Sequence, residues 1–258
     1  MRHISRIFLS DGSTKCKLDG DLDPVRAEIA AVKIMPTVKA CVFDAYGTLF
    51  DVHSAVKRHE GEIGPAADDL SRLWRTKQLE YTWVRSLMRR HEDFRECTAN
   101  ALDFAMASYG LQSRADIRTA LLDAYMTLDA YPEVPEVLRR LRAAGLLTAI
   151  LSNGSPGMLE AAIRSAGLAD LLDLSLSVEE VGIYKPDAAV YRLVTDRLKV
   201  APDCVSFQSS NAWDVAGARQ FGFRVIWINR TGQPSEYDLR GEVPEVRSLA
   251  EIPEVVLG

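Results

Sequence analysis

Five short runs, most of them apolar without alternation, constrain this chain more than any other feature: Ala40–Asp44, Leu147–Asn153, Leu172–Val178, Cys204–Ser209 and Val225–Asn229. A strand that is apolar on both faces must be covered on both sides, and a parallel sheet sandwiched by helices does this. Helical patterns fill the gaps at Val134–Ala144, Gly157–Ala166, Asp187–Leu198 and Ala212–Phe221. Strand then crossover helix, repeated, predicts an α/β fold, a doubly wound Rossmann-like parallel sheet. The segment from about Val52 to Tyr131 breaks the rule, because it holds no convincing strand. Its clearest helix is "ADDLSRLWRTKQLEYTWVRSLMRR", where Leu70, Trp74, Lys77, Tyr81, Val84 and Met88 recur at helical spacing. An all-helical insertion after the first strand reads as a cap subdomain over the working edge of the sheet. The expected division is a core of residues 36–52 and 132–258, a helical cap of 53–131, and an extension, 1–35, outside the core. The extension has a helical pattern at "DPVRAEIAAVKI", and Met35 is a candidate start.

Charge and cysteines narrow the setting. A net charge of -5 gives no reason to expect nucleic acid or an anionic membrane as partner. Arg85, Arg89, Arg90 and Arg95 cluster, but Glu92, Asp93 and Glu96 are interleaved, as on a solvated helical face. Cys16, Cys41, Cys97 and Cys204 fall in no metal-ligand spacing, and Cys41 and Cys204 open apolar strands. Reduced, packed thiols suit a cytoplasmic protein. The first apolar patch is too short for a secretory signal, and no stretch approaches a membrane span.

In open parallel sheets, ligands bind beyond the carboxyl ends of the strands. Those ends carry Asp44 with Thr48, Ser152 with Asn153 in "LSNGSPG", and Ser209, Ser210, Asn211 and Asp214 in "FQSSNAWD", and a loop carries Lys185 in "YKPD". Each has a plain structural explanation. Asp44 could be a helix cap, a metal ligand or a nucleophile. Ser155-Pro156 is patterned as an N-cap followed by a first-turn proline. Asn211 and Asp214 are spaced as a capping box, and Lys185 could be an exposed turn residue. Taken together, carboxylates, a lysine, hydroxyls and amides on one rim point to chemistry.

Several chemistries lose support. His3, His53, His59 and His91 lie at no later strand end, and "NGSPG" lacks the first glycine of a nucleophile elbow. No dinucleotide fingerprint or P-loop occurs. An aspartate nucleophile remains: a carboxylate is ionised at neutral pH without a base, and a nearby lysine keeps it so.

"FDAYGTLFD", "LSNGSP", "YKPD" and "SSNAWD", in that order, resemble the haloacid dehalogenase superfamily. With the arginine-bearing helix "LWRTKQLEYTWVRSLM", they resemble more narrowly its (S)-2-haloacid dehalogenases, from about Pro36 to near the C-terminus. Most of the superfamily are phosphatases, which need a second aspartate two residues after the nucleophile and carboxylates to hold magnesium. Here the second position is Tyr46. Halide leaves without a proton, and a haloacid needs no metal.

The resemblance implies that Asp44 attacks C2 of an (S)-2-haloalkanoic acid, expels halide with inversion, and forms an aspartyl ester. Water then releases the (R)-2-hydroxy acid. It implies that Arg75 and Asn153 receive the halide, and that Ser152 with the N–H groups of Ala45 and Tyr46 holds the substrate carboxylate. Thr48 and Lys185 position Asp44. Ser209, Asn211 and Asp214 place the water, Asp214 being the base, and Tyr191 is an active-site tyrosine. Tyr46, Leu79, Phe94 and Trp213 wall an apolar pocket. No cofactor and no metal is implied; the partners are a small 2-haloacid and a halide ion, and the family commonly forms homodimers. Thr76 departs from the glutamine that often follows the arginine, which points to altered pocket contacts. The alternatives are a magnesium-dependent phosphatase of the same superfamily and a catalytically silent binding protein.

Overall fold

The computed structural model describes residues 37–258. The proposed extension, with its helical pattern, Cys16 and the candidate start at Met35, lies outside them. Six parallel strands form one sheet in the order β3-β2-β1-β4-β5-β6, where β1 is Ala40–Phe43, β2 Leu147–Ser152, β3 Leu174–Ser177, β4 Val205–Ser209, β5 Arg224–Ile228 and β6 Glu245–Val246. The first five answer to the expected runs. The two-residue β6 was not expected, being too short to carry a pattern.

The order reverses between β1 and β4, so both sides of the switch point are open to a ligand at their carboxyl ends. The register pairs Phe43 with Ile150 on one side and with Gln208 on the other, which brings Asp44, Ser152 and Ser209 to one edge. β1 and β4 are wholly buried, as their apolar runs require.

Between β1 and β2 the chain is helical: α1 (Ser54–Arg58), α2 (Glu60–Ile63), α3 (Ala67–Met88), α4 (Phe94–Ser108) and α5 (Ala115–Tyr125), followed by α6 (Val134–Ala143). The crossover helices α7 (Pro156–Ser165), α8 (Ala188–Leu198) and α9 (Ala212–Phe221) fall where the periodicity put them, and α10 is Ile252–Leu257. α3 and α4 pack along each other.

The buried stripe of α3 differs from the expected one. It runs Leu70, Ser71, Trp74, Gln78, Thr82, whereas Val84 and Met88 are exposed and Lys77 lies over the Phe104 ring. The polar members escape a pattern of apolar residues: Gln78 is satisfied by Thr98 of the next helix, and Thr82 by the Leu79 carbonyl one turn back. On the arginine face, Arg89, Arg90 and Arg95 are exposed and Arg85 pairs with Glu92. Cys41, Cys97 and Cys204 are free thiols and buried; burial pushes Cys41 up to about 12. Among the described residues, no helix is long and apolar enough to cross a membrane.

α8 and α9 meet closely at Gly217, where an added methyl carbon would sit 2.5 Å from the Tyr191 hydroxyl and 2.6 Å from Pro186 Cβ. Gly217→Ala therefore destabilises by about 1–3 kcal/mol through overpacking, read as a lowered midpoint in thermal or urea unfolding. A midpoint equal to wild type would show that the helices part freely.

Candidate active site

The turn after β1 is built to aim side chains back at the sheet edge. Asp44 ends the ladder by donating its N–H to the Gln208 carbonyl at 2.9 Å. The Ala45 carbonyl then accepts the N–H groups of Thr48, Leu49 and Phe50. Gly47 supplies the positive φ, 92°, that this reversal needs. Thr48, fully buried, is thereby returned to Asp44, and its hydroxyl donates to Asp44 Oδ2 at 3.1 Å. The same hydroxyl oxygen accepts the Ser210 N–H at 2.8 Å, tying the first strand end to the fourth. Among the described residues the N–H groups of Ala45 and Tyr46 meet no acceptor.

Lys185 is 1 % exposed, not a turn residue in water, and its ammonium lies between two carboxylates. It donates to Asp44 Oδ1 at 3.1 Å and to Asp214 Oδ2 at 2.9 Å. Tyr191 closes the other oxygen of Asp214, donating from its hydroxyl at 2.8 Å. Asn211 Nδ2 donates to Asp44 Oδ2 at 2.8 Å. The capping readings of the sequence are therefore corrected. Asn211 and Ser155 do occupy N-cap positions, but neither side chain makes a cap hydrogen bond. Asn211 and Asp214 are drawn off the helix backbone because buried charge partners hold them more strongly.

Ser152 accepts the Gly154 N–H at 3.0 Å, and Ser209 accepts the Asn211 N–H at 3.1 Å, so both hydroxyl oxygens brace their own loops. Asn153 Oδ1 accepts the Lys185 N–H at 3.1 Å, and its NH2 end meets no acceptor among the described residues. Arg75 reaches from α3 to the turn, donating from Nη2 to the Tyr46 carbonyl at 3.0 Å and from Nη1 to Gln78 at 2.7 Å. Thr76 is exposed and donates to the Arg72 carbonyl, so its departure from glutamine does not touch these groups.

Of the four expected wall residues, two are in direct ring contact. Tyr46 and Phe94 meet at 5.6 Å, with Tyr125 stacked on Tyr46 at 5.6 Å and 13°. Trp213 instead meets Trp83 edge to face at 5.4 Å, beside a cavity of about 690 Å³ that Lys185, Tyr184 and Leu87 also line. Leu79 is half-buried one turn beyond Arg75. Gly154 makes room for Tyr46, since a methyl there would fall 2.6 Å from Tyr46 Cε2. Sequence reasoning missed Gln78, Tyr125 and Thr98. Only the spacing of Gln78 three residues after Arg75 could have suggested it.

Burial sets the protonation. Asp214 is raised to about 6, mainly by burial and then by the Asp44 charge, against the pull of Lys185. Burial alone would lower Lys185, but the two carboxylates outweigh it and hold the lysine above its ordinary value. Burial and the Asp214 charge drive Tyr191 well above the ordinary tyrosine value, so it is a donor. The site is thus one ammonium, two carboxylates and three neutral donors, capable of holding a nucleophile against an apolar, aromatic wall.

The sequence profile of the haloacid dehalogenase-like hydrolases matches residues 38–222. The chain is also 51% identical over 223 residues to "(S)-2-haloacid dehalogenase 1" of Pseudomonas sp. (strain CBS-3), spanning 86% of this chain and 98% of that protein. It belongs to the (S)-2-haloacid dehalogenases of the haloacid dehalogenase-like hydrolase family. A second member, "(S)-2-haloacid dehalogenase 4A" of Burkholderia cepacia, is 48% identical over 85% of this chain and 95% of its own. Among solved structures of the family, a dehalogenase with an intermediate complex superposes with a TM-score of 0.84 at 47% identity, covering 86% of this chain and 98% of that one. The L-2-haloacid dehalogenase of Xanthobacter autotrophicus, with chloropropionic acid covalently bound, gives 0.78 at 37%, covering 86% and 99%.

Asp214 carries a signed pH effect. Its native value, about 6, exceeds the ordinary 3.8, so between those values the native state binds more protons than the unfolded state and stability falls as pH rises. The unfolding free energy of wild type relative to Asp214→Asn therefore declines from pH 4 to pH 6. A difference that grows over that interval would refute the assignment.

Proposed function

We propose that the chain hydrolyses short (S)-2-haloalkanoic acids to (R)-2-hydroxy acids, through an ester on Asp44. One observation carries the reading. The carboxylate at the switch point is held by an ammonium, an amide and a hydroxyl, while the position two residues on is an aromatic ring, not an acid. A phosphate ester needs that acid for its alkoxide; a halide does not. The covalently bound chloropropionic acid in the Xanthobacter relative supports the ester.

Asp44 Oδ2 has two hydrogen-bond partners and Oδ1 has one, so Oδ1 keeps lone-pair capacity for attack. The N–H groups of Ala45 and Tyr46, with Ser152, bind the substrate carboxylate as an oxyanion pocket binds charge. Arg75 and the NH2 end of Asn153 receive the halide on the opposite side of C2, as in-line inversion demands. Tyr46 and Phe94 exclude water around the alkyl group, with Leu79 and Trp213 at its margin. Asn211, Ser209 and Asp214 then bring water to the carboxyl carbon of Asp44. Asp214 is the base, since it is ionised above about 6 and steadied by Tyr191. Residues 53–131 act as the cap that carries Arg75 to a core of 36–52 and 132–258. The setting is cytoplasmic, where buried Cys41 and Cys97 stay reduced, and the working form is a homodimer.

Turnover of (S)- and (R)-2-chloropropionate in EDTA, followed by chloride release and product configuration, tests this. Only the S form reacts, giving (R)-lactate, and Asp44→Asn lowers the rate roughly 10⁴-fold or more. In single turnover in oxygen-18 water, the first lactate takes unlabelled oxygen from Asp44. Phosphate-ester hydrolysis that requires magnesium, without chloride release, would establish the phosphatase alternative. Binding without turnover would establish a silent protein.

A further inference from the structure

A halide gains from a guanidinium only when its N–H groups are held where the charge develops, yet Arg75 is a long, half-buried side chain. What holds it is a buried polar chain within the helical segment. Arg75 Nη1 donates to Gln78 Oε1 at 2.7 Å, and the Tyr125 hydroxyl donates to the same oxygen at 3.1 Å. At its other end Gln78 Nε2 donates to Thr98 Oγ1 at 2.7 Å. The Thr98 proton is already committed to the Phe94 carbonyl at 2.7 Å, so toward Gln78 that oxygen can only accept. The order of protons leaves the amide one orientation, NH2 toward Thr98 and oxygen toward Arg75 and Tyr125.

Burial enforces the choice. Gln78 is 1% exposed and Thr98 2%, so a flipped amide would set donor against donor with no water to relieve it. The Trp74 indole donates to the Thr98 carbonyl at 2.9 Å and locks α3 to α4 at that turn. With Nη1 so fixed, Nη2 is delivered to the Tyr46 carbonyl beside Asp44.

We propose that Gln78, oriented by Thr98 and shared with Tyr125, is the positioning residue that holds the Arg75 guanidinium where the halide departs. The proposal rests on the dehalogenase reading above. A neutral amide suits the task, because it orients the cation without cancelling its charge. A carboxylate in the same place would pair with Arg75 and weaken its pull on an anion.

The test compares wild type, Gln78→Leu, Gln78→Glu and Thr98→Val in steady-state turnover of (S)-2-chloropropionate, with sodium bromide as inhibitor. Each is normalised to the folded fraction from thermal unfolding. Gln78→Leu lowers kcat roughly 10- to 100-fold and weakens bromide inhibition by a similar factor, while KM changes little. Thr98→Val moves both in the same direction by roughly 3- to 10-fold, and Gln78→Glu weakens bromide inhibition although it can still bond Arg75. Should Gln78→Leu fail to fold, the other two variants decide. Loss of kcat with unchanged bromide inhibition would overturn the proposal, as would wild-type values in all three. A wild type that releases no chloride refutes the dehalogenase reading itself; an active wild type with indifferent variants refutes only the role of Gln78.

Discussion

The Lys185 ammonium, fully buried and shared by Asp44 and Asp214, is the interaction on which the site depends. A buried charge is tolerated only when it is paired and its hydrogen-bonding capacity is met. Here one cation answers two anions, so the cluster carries a net negative charge into the interior. The remaining lone pairs are met by neutral donors: Thr48 and Asn211 from the loops after β1 and β4, and Tyr191 from α8. Neither the ammonium nor the carboxylates could be buried singly as ions without a large desolvation cost. The rim is therefore assembled as a unit, and its ionisation is shared, which is why Asp214 holds its proton to an unusually high pH.

The second element is the approach of the helical segment. Arg75 contacts the Tyr46 carbonyl, and Phe94 and Tyr125 pack on the Tyr46 ring. The residue two positions after Asp44 thus meets helical partners through both its backbone and its ring. An aromatic at that position costs the enzyme an acid. It supplies instead a dry wall and a seat for the segment that brings the guanidinium.

Much of this was legible beforehand, for identifiable reasons. The five strands and the crossover helices are periodic, and buried parallel strands are hard to disguise. The rim residues sit at strand ends or in the segments that follow them, where the topology of an α/β sheet concentrates function, so Asp44, Lys185 and Asp214 were visible as candidates. The buried face of α3 was misread because Gln78 and Thr82 are polar. The contact of Trp213 with Trp83 has no counterpart in the sequence pattern. β6 has two residues, too few for any period. Each miss concerns a contact between segments distant in the chain.

The order of strands and helices, the alignment of reactive side chains at the carboxyl edge, and the replacement of an acid by Tyr46 were all determined by the sequence itself. They are local properties: periodicity, spacing, and residue type at a turn. The choice between a capping amide and an amide on a nucleophile, as at Asn211, was decided only in the tertiary structure. So was the direction of Asn153, set by the Lys185 backbone, and that of Arg75, set by Gln78. A side chain with several possible partners takes the one whose loss costs most once water is excluded, and that ranking exists only when distant segments are packed together.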